Sequence, residues 1–142
     1  LKTTQAELED ANQAVSELTA ENEQLRARNQ SANDEIDELQ TELDAARTGA
    51  QLYQVLLDVN TARIMLFLED IEGAQDALAG TRDRLEGLLP TINEVDPDLA
   101  LSLPRRLELI VSGLARDPEA GLIDLELFTK DLLALEPLFG QN

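Results

Sequence analysis

From the first residue onward, apolar and small side chains recur at alternating steps of three and four. They run through Leu1, Thr4, Leu8, Ala11, Val15, Leu18, Asn22, Leu25, Asn29, Ala32, Ile36, Leu39, Leu43, Ala46, Ala50 and Tyr53. This is a heptad repeat, and it dictates a helix with one narrow apolar stripe. Such a helix has nothing of its own to cover the stripe, so it must pair with another helix. No Pro or Gly interrupts residues 1 to 48, which argues against folding back as an internal hairpin. A single straight helix from Leu1 to Tyr53 would reach about 80 Å.

Placing Leu8, Val15, Ile36 and Leu43 at heptad position a puts Ala11, Leu18, Leu25, Ala32, Leu39 and Ala46 at d. β-Branched Val15 and Ile36 at a, with Leu at several d positions, favour a parallel two-stranded coil. Asn22 and Asn29 also fall at a, where paired amides penalise slipped and antiparallel registers at some expense in stability. Glu21 at g faces Arg26 at the next e across a parallel interface, and Glu42 faces Arg47 in the same way. Each exposed pair is worth only a few tenths of a kcal/mol, so these pairs choose orientation more than they add stability. The expected oligomerisation residues are therefore Leu8, Val15, Leu18, Asn22, Leu25, Asn29, Ile36, Leu39 and Leu43. A parallel homodimer is the favoured assembly. A tetramer or an antiparallel arrangement, suited by the small residues Ala11, Ala32, Ala46 and Ala50, is the alternative.

Composition narrows the function. The 142 residues carry a net charge of -18 and contain no His, Cys or Trp. A phosphate-binding surface needs clustered Lys and Arg, so no nucleic acid is expected as a partner, and an anionic membrane surface would repel the visible segment. Without His or Cys the chain lacks the usual proton shuttle, the thiol nucleophile and the nitrogen and sulfur ligands of a zinc site. No run of about twenty apolar residues is present to span a bilayer. The sequence opens mid-register on Leu1 rather than Met. The expectation drawn from this is an upstream membrane anchor with the visible part outside the cytoplasm, a cytoplasmic setting being the alternative.

After Gly49 the apolar surface broadens through Leu52, Leu56, Leu57, Ile64, Leu66 and Phe67, as expected of a helix that meets several neighbours. The chain is read as a coiled-coil stalk over residues 1–50 and a four-helix module over 51–142, an all-α fold. One glycine costs only about 1 kcal/mol and the heptad phase is kept, so the helix is expected to continue through Gly49. Asp70 is placed as the cap that starts a second helix, running to Leu89 and closed by Pro90. An unbroken helix through Ile71, Leu78 and Leu85 is the less favoured alternative. A loop is expected over Thr91 to Asp96. Asp96-Pro97 and Asp117-Pro118 are cap-proline starts. Pro104 is expected to interrupt the helix begun at Pro97, and Ser102 to help restart it. The last helix, with Leu122, Leu125, Phe128, Leu132 and Leu135 on one face, is expected to run until Pro137.

Little in the chain suggests catalysis. Asp34, Glu35, Asp37 and Glu38 read as a solvated helix face. Glu94, Asp96 and Asp98 could attract calcium loosely but lack the glycine turn and distal Glu of a calcium loop. Gly73, Gly80 and Gly87 recur every seven residues, a helix-packing spacing rather than a phosphate cradle; they are expected either to line one side of the second helix or to be ordinary exposed positions. Arg105 and Arg106 are expected to meet Glu108 or a carboxylate on another helix, anion binding being the alternative. Tyr53 and the Ser and Thr hydroxyls have no base near them in sequence, so no catalytic residue and no cofactor is assigned.

The stretch ARIMLFLEDIEGAQDAL, with Ala62, Leu66, Asp70, Ala74 and Leu78, resembles the helix-pair junction of the tetratricopeptide family: small residues permit close crossing and an acidic cap starts the second helix. Glu69 stands where that family commonly has Gly. The layout of an acidic coiled coil leading into such a hairpin, ending in RRLELIVSGLARDPEAGLIDLELFTKDLLAL, is similar to that of the HemX-like membrane-associated proteins. The resemblance implies an interaction or scaffolding role on the outer side of a membrane. The function expected is a non-enzymatic oligomeric spacer presenting helical heads to an unidentified protein partner. A regulatory subunit of a membrane enzyme and a peptide or small-molecule sensor are the alternatives.

Overall fold

The computed structural model of the protein describes residues 1–139, and every regular element among them is a helix, as the all-α reading expects. The order is α1 (Lys2–Phe67), α2 (Ile71–Leu78), α3 (Thr81–Val95), α4 (Pro97–Gly113), α5 (Pro118–Ala134) and the single turn α6 (Glu136–Phe139). Two units are distinguished, Leu1–Glu42 and the part from Leu43 onward. In the first, α1 makes no buried contact within the chain; all of its residues are exposed. Its surface polar groups bond locally, as in Gln13 Nε2 to Glu17 Oε1 at 3.2 Å and Gln30 Nε2 to Asp34 Oδ1 at 3.1 Å.

The second unit holds one hydrophobic core. Leu52, Val55, Val59 and Ala62 of α1 are fully buried, together with Leu85, Leu88 and Ile92 of α3, Leu103 of α4, and Leu125, Phe128 and Leu132 of α5. α1 continues through Gly49, as the kept heptad phase predicts. Gly49 is itself buried, and a Cβ there would stand 2.9 Å from the Phe139 carbonyl oxygen, so that glycine is a packing requirement. α1 ends where Glu69 takes a left-handed conformation, φ 63°, uncommon for a residue with a Cβ. Asp70 then caps α2, its Oδ1 accepting from Gly73 N at 2.8 Å. Asp96 and Asp117 cap α4 and α5 in the same manner, accepting from Leu99 N and Ala120 N, each with Pro as the first helical residue.

The prolines correct several expectations. Pro90 does not close the second helix, and Thr91–Val95 is not a loop: both lie in α3. Pro104 lies inside α4, with Leu103 and Leu107 buried around it, and Ser102 does not restart a helix but donates to the Leu99 carbonyl of the same helix. Pro137 lies within α6, and the preceding helix ends at Ala134. A proline inside a helix costs about 3 kcal/mol in isolation. Here Pro90 and Glu86, four residues before it, are exposed, while Leu85, Leu88 and Ile92 hold the turn on the core side. The true break falls at Ala79 and Gly80, which separate α2 from α3. Gly73, Gly80 and Gly87 therefore do not line one helix. A Cβ on Gly73 would collide with the Asp70 cap, whereas one on Gly87 would meet the flexible Gln51 amide.

Asp58 is the acidic side chain that α1 carries into this core, 9% exposed. It accepts from Thr81 Oγ1 at 2.9 Å, from Gln54 Nε2 at 3.2 Å and from Arg84 Nη1, which ties α1 to α3. Asp58→Ala is expected to destabilise this unit by about 1–2 kcal/mol, most of it from stranding the buried Thr81 hydroxyl, because the partly exposed Arg84 can rehydrate. Denaturant unfolding followed by circular dichroism checks this, with Asp58→Asn, which keeps an acceptor oxygen, losing less.

Candidate functional site

The nine seam residues read from the sequence all lie on α1, and all are exposed in the single chain. Leu8, Val15, Leu18, Leu25, Ile36, Leu39 and Leu43 are each 48% to 61% exposed, and Asn22 and Asn29 sit in the same stripe. The structure brings them together only as one face of one helix. Withdrawing a half-exposed Leu, Ile or Val from water contributes about 1 kcal/mol, so seven such residues in register form a considerable driving force for a second helix.

In the sequence the apolar excess of residues 52 to 68 reads as one broad surface. It is two stripes on opposite sides of α1. Leu52, Val55, Val59, Ala62 and Leu66 fall at positions c and f, and they face the core. Tyr53, Leu57, Ile64 and Phe67 fall at a and d, and they are exposed. A signal for the division exists, because the core stripe itself repeats at steps of three and four, displaced from the seam by half a turn.

At the d position Tyr53 the phenol donates to Glu136 Oε1 at 2.8 Å, fixing α6 against α1. That hydrogen bond, then the nearby carboxylate charge, then slight desolvation raise the phenol's pKa above its ordinary 10.0. On α4, Arg106 bonds to Asp131 of α5 and lies over the Phe128 ring, 5.6 Å from its centroid, which meets for Arg106 the expectation of a carboxylate on another helix. A groove of about 570 Å³ opens between Leu66 and Phe67 at the end of α1, Ile71 of α2, and Pro118 and Leu122 of α5, with Arg116 at its rim. Its lining joins one cation, Arg116, to the carboxylates of Glu69, Asp117 and Glu119.

Glu94, Asp96 and Asp98 do not form a cation cage: Glu94 lies on α3, Asp96 is engaged as a cap, and Asp98 opens α4. No group of three or more acidic residues among the described residues is arranged to hold a metal ion. Nor is any helix among them long and apolar enough to cross a membrane. Compared with known proteins, the chain matches no family model, no curated protein and no solved structure.

Tyr53 is the chain's one tyrosine and there is no Trp, so its ionisation can be followed directly by ultraviolet absorbance. Its midpoint is expected above 10, falling back toward 10 in Glu136→Gln. A phenol whose pKa is raised by folding adds stability that is fully present below about pH 10 and lost as pH rises through the folded value. The Tyr53–Glu136 link should therefore weaken as pH rises above 10.

Proposed function

We propose that the protein is a non-enzymatic, homo-oligomeric spacer, in which α1 self-associates as a parallel two-stranded coiled coil and each chain carries a helical head for a protein partner. The observation that supports this most is the exposed, unbroken heptad stripe over Leu1–Glu42, which no other part of that unit covers. An isolated helix of that kind gains little from propensity alone, and in proteins helices owe most of their stability to packing of their apolar face. Arg26 and Arg47 at e and Glu21 and Glu42 at g agree with parallel pairing. Two heads on one stalk would raise avidity for a multivalent partner without any new contact. The layout resembling the HemX-like proteins belongs to the same proposal and points to a scaffolding role beside a membrane.

Leu18→Asp combined with Leu25→Asp places charges at two successive d layers. This variant is expected to sediment as a monomer and to lose helical signal from the residues before Leu43. Retention of the wild-type oligomer would refute self-association through the stalk. Changing Asn22 and Asn29 together to Val is expected to raise the melting temperature by about 5–10 °C while allowing more than one oligomeric species. A single species of unchanged mass would show that the two amides do not specify the assembly.

A further inference from the structure

Between Leu8 and Phe67, eleven large apolar side chains are exposed, and all eleven occupy a or d of the one heptad register. Four of them, Tyr53, Leu57, Ile64 and Phe67, lie beyond the residues assigned to the stalk, at 53%, 57%, 51% and 79% exposure. The head's own helices leave them exposed, the Tyr53 phenol bonding to Glu136 of α6 at its edge, because the core is built on the opposite side of α1, through Leu52, Val55, Val59, Ala62 and Leu66. The register passes Gly49 without an inserted or missing residue, so these four side chains continue the stripe in phase.

Charge indicates what can lie on this face. The chain carries 29 acidic against 11 basic residues, so two copies repel over most of their surfaces. From Leu43 to Leu68, however, positions a, d, e and g hold no carboxylate at all. Those at e and g are Arg47, Gln54, Thr61 and Leu68, and Gly49, Leu56 and Arg63. Glu136 of α6 reaches this face only at Tyr53; along Leu57 and Ile64 a basic partner would find no acidic complement at these positions, whereas a second copy meets no like charge from them.

We infer that the outer face of α1 in the head, Leu43 to Phe67, is itself a self-association surface, on which the same segment of a second copy lies parallel and in register. This rests on the proposed self-association of the stalk and extends it: the heads are joined along α1 rather than splayed from the end of the coil. In that register Leu57 and Ile64 each face their counterparts, and Asn60, exposed at d, supplies a third amide layer.

The chain contains no cysteine, so one introduced thiol reports one position. Full-length Leu25→Cys, Leu57→Cys, Ile64→Cys and, as an exposed position off the stripe, Val95→Cys are each checked for wild-type circular dichroism and oxidised at micromolar concentration. Facing positions in a parallel pair lie within the Cα separation that a disulfide accepts. Leu57→Cys and Ile64→Cys are expected to form covalent dimers about tenfold or more faster than Val95→Cys, as an effective concentration set within one assembly requires. Capture at Leu25 without capture at Leu57 and Ile64 overturns the inference and leaves the stalk intact. Capture at Leu57 and Ile64 without Leu25 supports it and removes the stalk reading. Absence of capture at all three, or equal rates at Val95, overturns it.

Discussion

A helix can satisfy its own backbone but not its own apolar stripe, and α1 carries such a stripe over most of its length. In Leu1–Glu42 nothing else in the unit touches it. Hydrogen bonds between residues four apart, such as Gln13 to Glu17, decorate the surface but each adds only tenths of a kcal/mol. Covering the Leu, Val and Ile side chains is worth several times more. Self-association is thus proposed as a consequence of the helix's own chemistry rather than as an addition to it.

The same helix solves a second problem from Leu43 onward. There one side anchors a core through Leu52, Val55, Val59 and Ala62, while the a and d side keeps its apolar residues in water. Asp58 and Gly49 fix how the other helices meet the core side. Asp58 draws α3 in through Thr81 and Arg84, and Gly49 lets the Phe139 backbone approach as no larger residue would. What this unit offers is a groove lined by Leu66, Phe67, Ile71 and Leu122 beside Arg116, and a stretch of α1 whose a, d, e and g positions carry no carboxylate.

Much of this is legible in the sequence where local chemistry decides the outcome. Asp70, Asp96 and Asp117 announce helix starts because a short carboxylate reaches the free N–H groups three residues on, and all three cap helices here. Continuation through Gly49 follows from heptad phase. Prolines mislead where tertiary packing overrides propensity: Pro90 and Pro104 read as breaks, yet buried Leu residues near each keep α3 and α4 intact. The break at Gly80 is hidden because its heptad spacing with Gly73 and Gly87 imitates a packing row. The contacts of Asp58 with Thr81 and Arg84, more than twenty residues away, carry no local signature at all.

The stripe on α1 is tested most directly by sedimentation equilibrium of the unaltered protein across a dilution series, with far-ultraviolet circular dichroism on the same samples. A self-associating stripe predicts a species of twice the 15.6 kDa chain mass, whose dissociation on dilution is accompanied by loss of helix. A monomer at every concentration, with the full helical signal retained, would contradict it.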